Sequence, residues 1–190
     1  MELRNPAQEK FSGHMVRAYL SGLEAMGLQA KVRDMVPARA QRMMDAPPLP
    51  SAWMEGDELP LIFSAVMKLQ GLEGMRTLGY AAASSPSARF LKPLMRATLA
   101  KHGSNPGVLF AHLTSICRPF FEGLTFYFLP DGPRSGDLKI RSGRPLELPS
   151  WAAWEGTLRI LFDECGLGTG EISRCSVSEG GCLAAMKVRW

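Results

Sequence analysis

The chain has few of the residues that bind metals or form disulfides. Its 190 residues include three histidines and four cysteines. The cysteines form no Cys-x-x-Cys pair, and Cys165, Cys175 and Cys182 match no common zinc-binding spacing. We therefore expect four free thiols, no bound metal and a reducing compartment.

Long apolar runs are also missing. No stretch approaches the roughly 18 apolar residues that a membrane span needs. The N-terminus, Met-Glu-Leu-Arg-Asn-Pro, has no apolar core of the kind found in signal peptides. We therefore expect no membrane span and a cytoplasmic protein. The length of 190 residues and the apolar fraction of 46% suit a single domain, at 13–190, after a flexible N-terminus at 1–12.

The net charge of +4 lies wholly in residues 1–117, which carry 13 basic and 9 acidic side chains. This excess is too diffuse for a nucleic-acid site, so we expect no nucleic-acid partner. Its densest part is a predicted helix at 88–101, where Arg89, Lys92, Arg96 and Lys101 have no acidic neighbour. Such a face is usually only solvated; the alternative is a surface that binds an acidic partner or lipid headgroups.

Apolar residues at helical spacing predict six or so helices before residue 120. They lie at 13–27, 32–43, 55–71, 73–83, 88–101 and 105–119. Asn105 followed by Pro106 is a typical helix start, an N-cap and then an N1 proline.

From Gly123 the pattern changes to strands. Residues 124–129 and 137–141 predict two strands, and 171–177 and 183–190 predict two more. Between these pairs lies a helix that we expect Ser150 to cap and Gly166 to end, with Trp154 and Leu158 in its apolar stripe. The order predicts an α+β fold: a helical N-terminal part, then a four-stranded, largely antiparallel sheet with one inserted helix.

Catalytic motifs are absent from the sequence. There is no phosphate-binding loop and no nucleophile elbow. The glycines at 166–170 follow a helix and precede a strand, which is the reverse of a phosphate loop. His112 and Cys117 lie on one predicted helix, but five positions apart they face directions that disfavour a catalytic pair. His112 could instead ligate haem or a metal, or be a buried histidine bonded to backbone.

Several segments resemble a family of proteins of unassigned function that is abundant in myxobacteria. They are 50–54 (Pro-Ser-Ala-Trp-Met), 69–79 (Leu-Gln-Gly-Leu-Glu-Gly-Met-Arg-Thr-Leu-Gly), 155–166 and 187–190 (Lys-Val-Arg-Trp). The resemblance covers residues 13–190. The order of elements is also similar to the haem nitric-oxide-binding (H-NOX) fold and its relatives, the vinyl-reductase-type effector domains and Golgi transport-complex subunits. It implies a sensing domain with a cavity between helices and sheet.

Haem-binding members of this fold carry a Tyr-x-Ser-x-Arg motif and a proximal histidine. The corresponding strand here, 138–142, keeps only Arg141. We therefore expect no haem and no other cofactor.

We predict a non-enzymatic sensory or adaptor domain that binds a small apolar ligand or a protein partner and could form a homodimer. A haem-based gas sensor and a small-molecule enzyme are the alternatives. The candidate ligand-pocket residues are His112, Cys117, Tyr127 and Trp154.

Overall fold

The computed structural model describes residues 10–56 and 58–190, and helices dominate its first part. These helices are α1 (Gly13–Ala25), α2 (Gln29–Met35), α3 (Ala38–Asp45), α4 (Glu58–Ser84), α5 (Leu91–His102), α6 (Pro106–Ala111) and α7 (Leu113–Cys117). Two more, α8 (Leu148–Thr157) and α9 (Ile160–Glu164), lie between strands of the main sheet.

The strands form two antiparallel sheets. A small sheet has the order β2-β1-β3, made by β1 (Lys10–Ser12), β2 (Trp53–Met54) and β3 (Phe121–Glu122). The main sheet contains β4 (Leu124–Gly132), β5 (Ser135–Ser142), β6 (Glu171–Ile172), β7 (Ser176–Ser178) and β8 (Leu183–Arg189). Its order is β4-β5-β8-β6, and β7 also pairs with β8.

The α+β prediction is confirmed, with two differences in the strands. The predicted third strand of the main sheet is split, because β6 and β7 pair with separate parts of β8. The small sheet was not predicted, since strands of two or three residues carry no periodic pattern. Lys10–Ser12 form β1, so this part of the predicted flexible N-terminus is ordered. Residues 1–9 lie outside the described residues.

One predicted helix boundary is confirmed and others were wrong. The backbone of Gly71 is non-helical, with φ 64° and ψ −165°, so α4 consists of two helical halves that meet at a kink where the break was predicted. The C-terminal helix begins at Leu148, so its N-cap is Glu147 and not Ser150. It is also interrupted before Ile160, where α9 begins. Asn105 does cap α6, and its side chain accepts a hydrogen bond from the Val108 N–H at 3.3 Å.

The core consists of two apolar clusters. One lies among α1, α2, α3 and α4, and the other lies between α5–α9 and the main sheet. Trp154 and Leu158 are buried in the second cluster, as the apolar stripe predicted. Along β8, Met186 and Val188 are buried, whereas Lys187 and Arg189 are exposed, which confirms the predicted alternation.

Helices α4 and α8 cross at backbone contact. A Cβ atom added at Gly79 would overlap the carbonyl oxygen of Ala153, and one added at Gly156 would overlap the carbonyl oxygen of Arg76. The hydroxyl of Thr157 donates to the carbonyl oxygen of Gly79 at 3.2 Å, which fixes the same crossing. Only glycine permits so close an approach.

A side chain satisfies the hydrogen bonds of some backbone groups on the edge strand β4. The hydroxyl of Thr114 accepts a hydrogen bond from the Phe126 N–H at 3.0 Å and donates to the Phe126 carbonyl at 3.1 Å. Unpaired edge groups are a template for strand addition. Because Thr114 bonds the backbone groups of Phe126, these groups at the middle of β4 are not available to an added strand.

No helix among the described residues is long and apolar enough to cross a membrane.

Replacing Leu158 by alanine should lower the free energy of unfolding by about 2–5 kcal/mol, because Leu158 is only 1% exposed. Urea denaturation measures this change. Leu129→Ala is the control, since Leu129 is 69% exposed and should change stability by less than about 0.5 kcal/mol. A Leu158→Ala effect as small as that of the control would show that the stripe does not face a core.

Replacing Gly156 by alanine should destabilise the protein by about 1–3 kcal/mol or more, because the new methyl group meets backbone atoms of α4 that cannot give way. Helix propensity alone would instead stabilise the variant by roughly 1 kcal/mol, so the sign of the change separates the two effects.

The matched control for Gly156→Ala is Gly168→Ala, because nothing lies within 4 Å of a Cβ at Gly168. Urea unfolding of both variants measures the change in the free energy of unfolding. A stabilising Gly156→Ala would mean that α4 and α8 lie further apart than the structure has them.

Candidate functional site

A polar cavity of about 610 Å³ lies where the second half of α4, the end of α8 and the strands β6 and β8 meet. We call it the polar cavity. Its lining is mostly charged or hydroxyl-bearing: Glu73, Arg76, Thr77, Tyr80, Glu155, Gly156, Arg159, Gly170, Glu171, Ile172, Ser173, Lys187 and Arg189.

The base of the polar cavity is an ion pair between Arg76 of α4 and Glu155 of α8. Glu155 is 5% exposed, and its carboxylate accepts a hydrogen bond from Nε of Arg76. Its other oxygen accepts the backbone N–H of Cys175 at 2.7 Å. A buried charge is tolerated when partners satisfy both its charge and its hydrogen bonds. Here these partners come from a helix and from the segment after β6.

The segment 173–175 forms a wall that charged groups hold in place. Arg174 donates to Glu73 at 2.7 Å, and Glu73 also accepts from Arg76 at 2.9 Å. The thiol of Cys175 is partly buried beside Glu155. Burial, and then the hydrogen bond and charge of Glu155, raise the pKa of Cys175 to about 12. Cys175 is therefore a neutral thiol at physiological pH.

Some of the cationic side chains that border the polar cavity form ion pairs and others do not. Lys187 is neutralised by the carboxylates of Asp131 and Asp137. Arg159 and Arg189 are exposed, and neither forms an ion pair with any residue that the structure describes. The guanidinium of Arg159 lies over the ring of Tyr80, 5.7 Å from its centroid.

The predicted ligand-pocket residues do not gather at one place. Tyr127 is exposed, 54%, on the outer face of the main sheet. Trp154 is buried against the rings of Phe121 and Phe126 and lines an apolar cavity of only about 40 Å³, room for a few water molecules at most. Cys117 is buried in the core, which raises the pKa of its thiol to about 12.

His112 lies at the junction of α6 and α7, where its ring stacks on that of His102 with centroids 4.3 Å apart. Loss of water around the ring, the neighbouring His112 and the charge of Lys101 together lower the pKa of His102. Below about pH 6.5 the unfolded chain takes up this proton more readily than the folded one. Stability therefore falls as the pH drops below that value.

The predicted partner surface keeps less of its charge than the sequence indicated. Glu164, from α9, contacts Lys92 at 3.1 Å and Arg96 at 3.8 Å. Arg89 and Lys101 stay exposed, with no ion pair to any described residue. A local charge pattern does not reveal an acidic neighbour that is about 70 positions away in sequence.

None of the residues that line the polar cavity was predicted as a site residue. Arg76 and Glu155 are isolated charges within apolar helices, and such charges are usually solvated. One signal was available: Gly79 and Gly156 lie inside helices, and a helical glycine often marks a close backbone approach. It indicates a crossing of two helices but not which helices cross.

The chain matches no family model, and no curated protein is similar to it in sequence. Solved structures share its fold. The unliganded Fe(II) H-NOX protein from K. algicida matches with a TM-score of 0.67 at 12% identity, over 94% of this chain and 95% of that one. An oxygen-binding H-NOX domain related to soluble guanylate cyclases, in its oxygen complex, matches with a TM-score of 0.61 at 14% identity, over 94% of both chains.

A third neighbour comes from work on how porphyrin distortion modulates haem redox potential; it has a TM-score of 0.62 at 11% identity and covers 94% of this chain and 99% of that one. These neighbours contradict our expectation that the chain has no cofactor, because they point to haem. That expectation rested on the motif reduced to Arg141 and on the absence of a haem-site pattern around His102 and His112 in the sequence. Arg141 is instead bonded to Glu179 at 2.8 and 3.2 Å. The likeness to the H-NOX fold is confirmed.

Proposed function

We propose that this chain is a sensory domain that uses haem as its cofactor. The observation that carries the proposal is the agreement with H-NOX domains over 94% of the chain. A fold match at 12–14% identity establishes architecture, whereas function depends on a site. The proposal therefore needs residues in this chain that can hold the group.

The His102–His112 pair is the candidate for the axial ligand. Histidine is the usual ligand of haem iron in gas-binding proteins, and apolar groups cover the macrocycle. Two positions before His112, the ring of Phe110 packs with those of Phe128, Phe162 and Trp190, at centroid distances of 5.5–6.3 Å. In the proposed site these rings would supply the apolar covering. Because they contact one another, uptake of haem requires that they separate.

A buried donor elsewhere in the second apolar cluster is also without a partner in the part of the chain that the structure describes. The indole N–H of Trp151 is fully buried and has no acceptor among the described residues. A buried donor without a partner costs about 1–3 kcal/mol. A bound group or a water molecule that accepts this hydrogen bond would remove that cost. When bound, the haem iron would supply a coordination position for a diatomic gas.

We also propose that the domain is not an enzyme. A cysteine nucleophile reacts as its thiolate. Burial raises the pKa of both Cys117 and Cys175 to about 12 and also raises that of Cys165. These thiols are protonated at neutral pH, which argues against the cysteine–histidine alternative.

A sensor must pass its signal to another molecule. We propose a protein partner in the cytoplasm as the receiver and Arg89 and Lys101 as the basic part of the contact surface. Lys101 lies in the last turn of α5 beside His102, and Arg89 lies two residues before α5 begins, so part of this surface is on the helix that carries His102.

Adding haem to the cofactor-free protein should give one equivalent of bound haem with a sharp Soret band. His112→Ala or His102→Ala should shift or abolish that band, because the axial ligand is lost. Absorbance titration measures both effects.

His14→Ala is the matched control, since His14 is the third histidine and packs against Phe90 and Phe120 away from this pair. It should bind haem as the wild type does. If the wild type takes up no stoichiometric haem, or if all three variants give the wild-type spectrum, the proposed cofactor or its ligand is wrong.

A further inference from the structure

We propose that the polar cavity binds a small organic carboxylate, held by the guanidinium groups of Arg159 and Arg189. This site is separate from the proposed haem site, because neither His102 nor His112 lines the polar cavity. The inference therefore does not depend on haem.

The sign of the ligand follows from which charges are already paired. On the acidic side, Glu155 is bonded to Arg76 and to the Cys175 N–H, and Glu73 is bonded to Arg76 and Arg174. Two of the three acidic groups in the lining are thus engaged. On the basic side, the guanidinium groups of Arg159 and Arg189 form no ion pair with any described residue. The charge left to be satisfied is positive.

Glu171 is the one internal competitor. It faces Arg189 across the β6–β8 pairing, yet no ion pair joins the two side chains. Cross-strand ion pairs at an exposed edge contribute little to stability. A carboxylate ligand that bonds two guanidinium groups gains more free energy than Glu171 would gain by bonding one.

The geometry of the donors favours a carboxylate. The planar guanidinium fork matches the two oxygens of a carboxylate and binds them through parallel hydrogen bonds. Arg159 is also pre-positioned, because its guanidinium lies over Tyr80, and Tyr80 is itself fixed by a hydrogen bond from its hydroxyl to Asp163 at 2.9 Å. A side chain held in this way loses less entropy on binding.

The size and remaining lining indicate an organic ligand and not a bare ion. The volume of about 610 Å³ lies within the roughly 300–1,000 Å³ of small-molecule sites. Ile172 supplies an apolar surface beside the charges, and Thr77 and Ser173 supply hydroxyl groups. A carboxylate attached to a carbon skeleton can use all three.

The test compares benzoate with benzamide, which have the same shape and differ in charge. Each is titrated into the full chain at constant ionic strength while ¹H–¹⁵N NMR shifts are recorded. Benzoate should give saturable shifts at amides around the polar cavity, such as those of Thr77 and Ile172. Benzamide should bind at least about tenfold more weakly, because the charge-assisted hydrogen bonds are lost.

Arg159→Gln and Arg189→Gln should each raise the dissociation constant for benzoate about tenfold. Arg118→Gln is the matched control, because Arg118 is also exposed and without an ion pair among the described residues, but lies outside the polar cavity. It makes the same change in net charge and should alter the dissociation constant less than twofold.

Three results would overturn the inference: no saturable shift with benzoate, equal binding of benzoate and benzamide, or an equal loss in Arg118→Gln. The last would mean that only net charge attracts the anion. The double variant His102→Ala/His112→Ala should keep the wild-type affinity for benzoate. If haem binding fails, the inference about the carboxylate is unaffected. If carboxylate binding fails, the haem proposal is unaffected.

Discussion

The backbone contact between α4 and α8 is the constraint on which the rest of the structure depends. Gly79 and Gly156 let the two helices approach until a side chain at either position would overlap a carbonyl group. On its other side α4 packs on α1, where Gly22 faces the backbone of Ala82. Helix α8 in turn buries Trp154 beneath the main sheet. The helical cluster and the helix–sheet cluster are thus joined through this crossing.

The same crossing creates the polar cavity. Arg76 lies one turn before Gly79, and Glu155 directly precedes Gly156, so the close approach brings their side chains together. A buried ion pair is stable only when the remaining hydrogen bonds are also made. The Cys175 N–H makes one of them and ties the segment after β6 to the helices. A ligand in the polar cavity would therefore contact groups from both helices and from the sheet edge.

The H-NOX architecture persists here at 11–14% identity, which shows how little of it depends on particular side chains. In this chain the fold rests on the alternation along β8 and on the apolar stripes of the helices, which form the two core clusters. A motif such as the one reduced to Arg141 can disappear without loss of fold, because it serves a ligand and not the core. For the same reason the histidine pair and the polar cavity must be tested separately.

The sequence by itself determined the local structure: the α+β order, the Asn105 cap, the burial of Trp154 and Leu158, and the inward and outward faces of β8. These follow from periodicity and capping, which act over a few residues. Only the tertiary structure decided that Glu164 neutralises Lys92, that Tyr127 faces solvent, and that Arg76 meets Glu155. The two members of each ion pair are tens of residues apart along the chain. Side-chain charge and burial depend on such distant neighbours, and a one-dimensional pattern does not contain them.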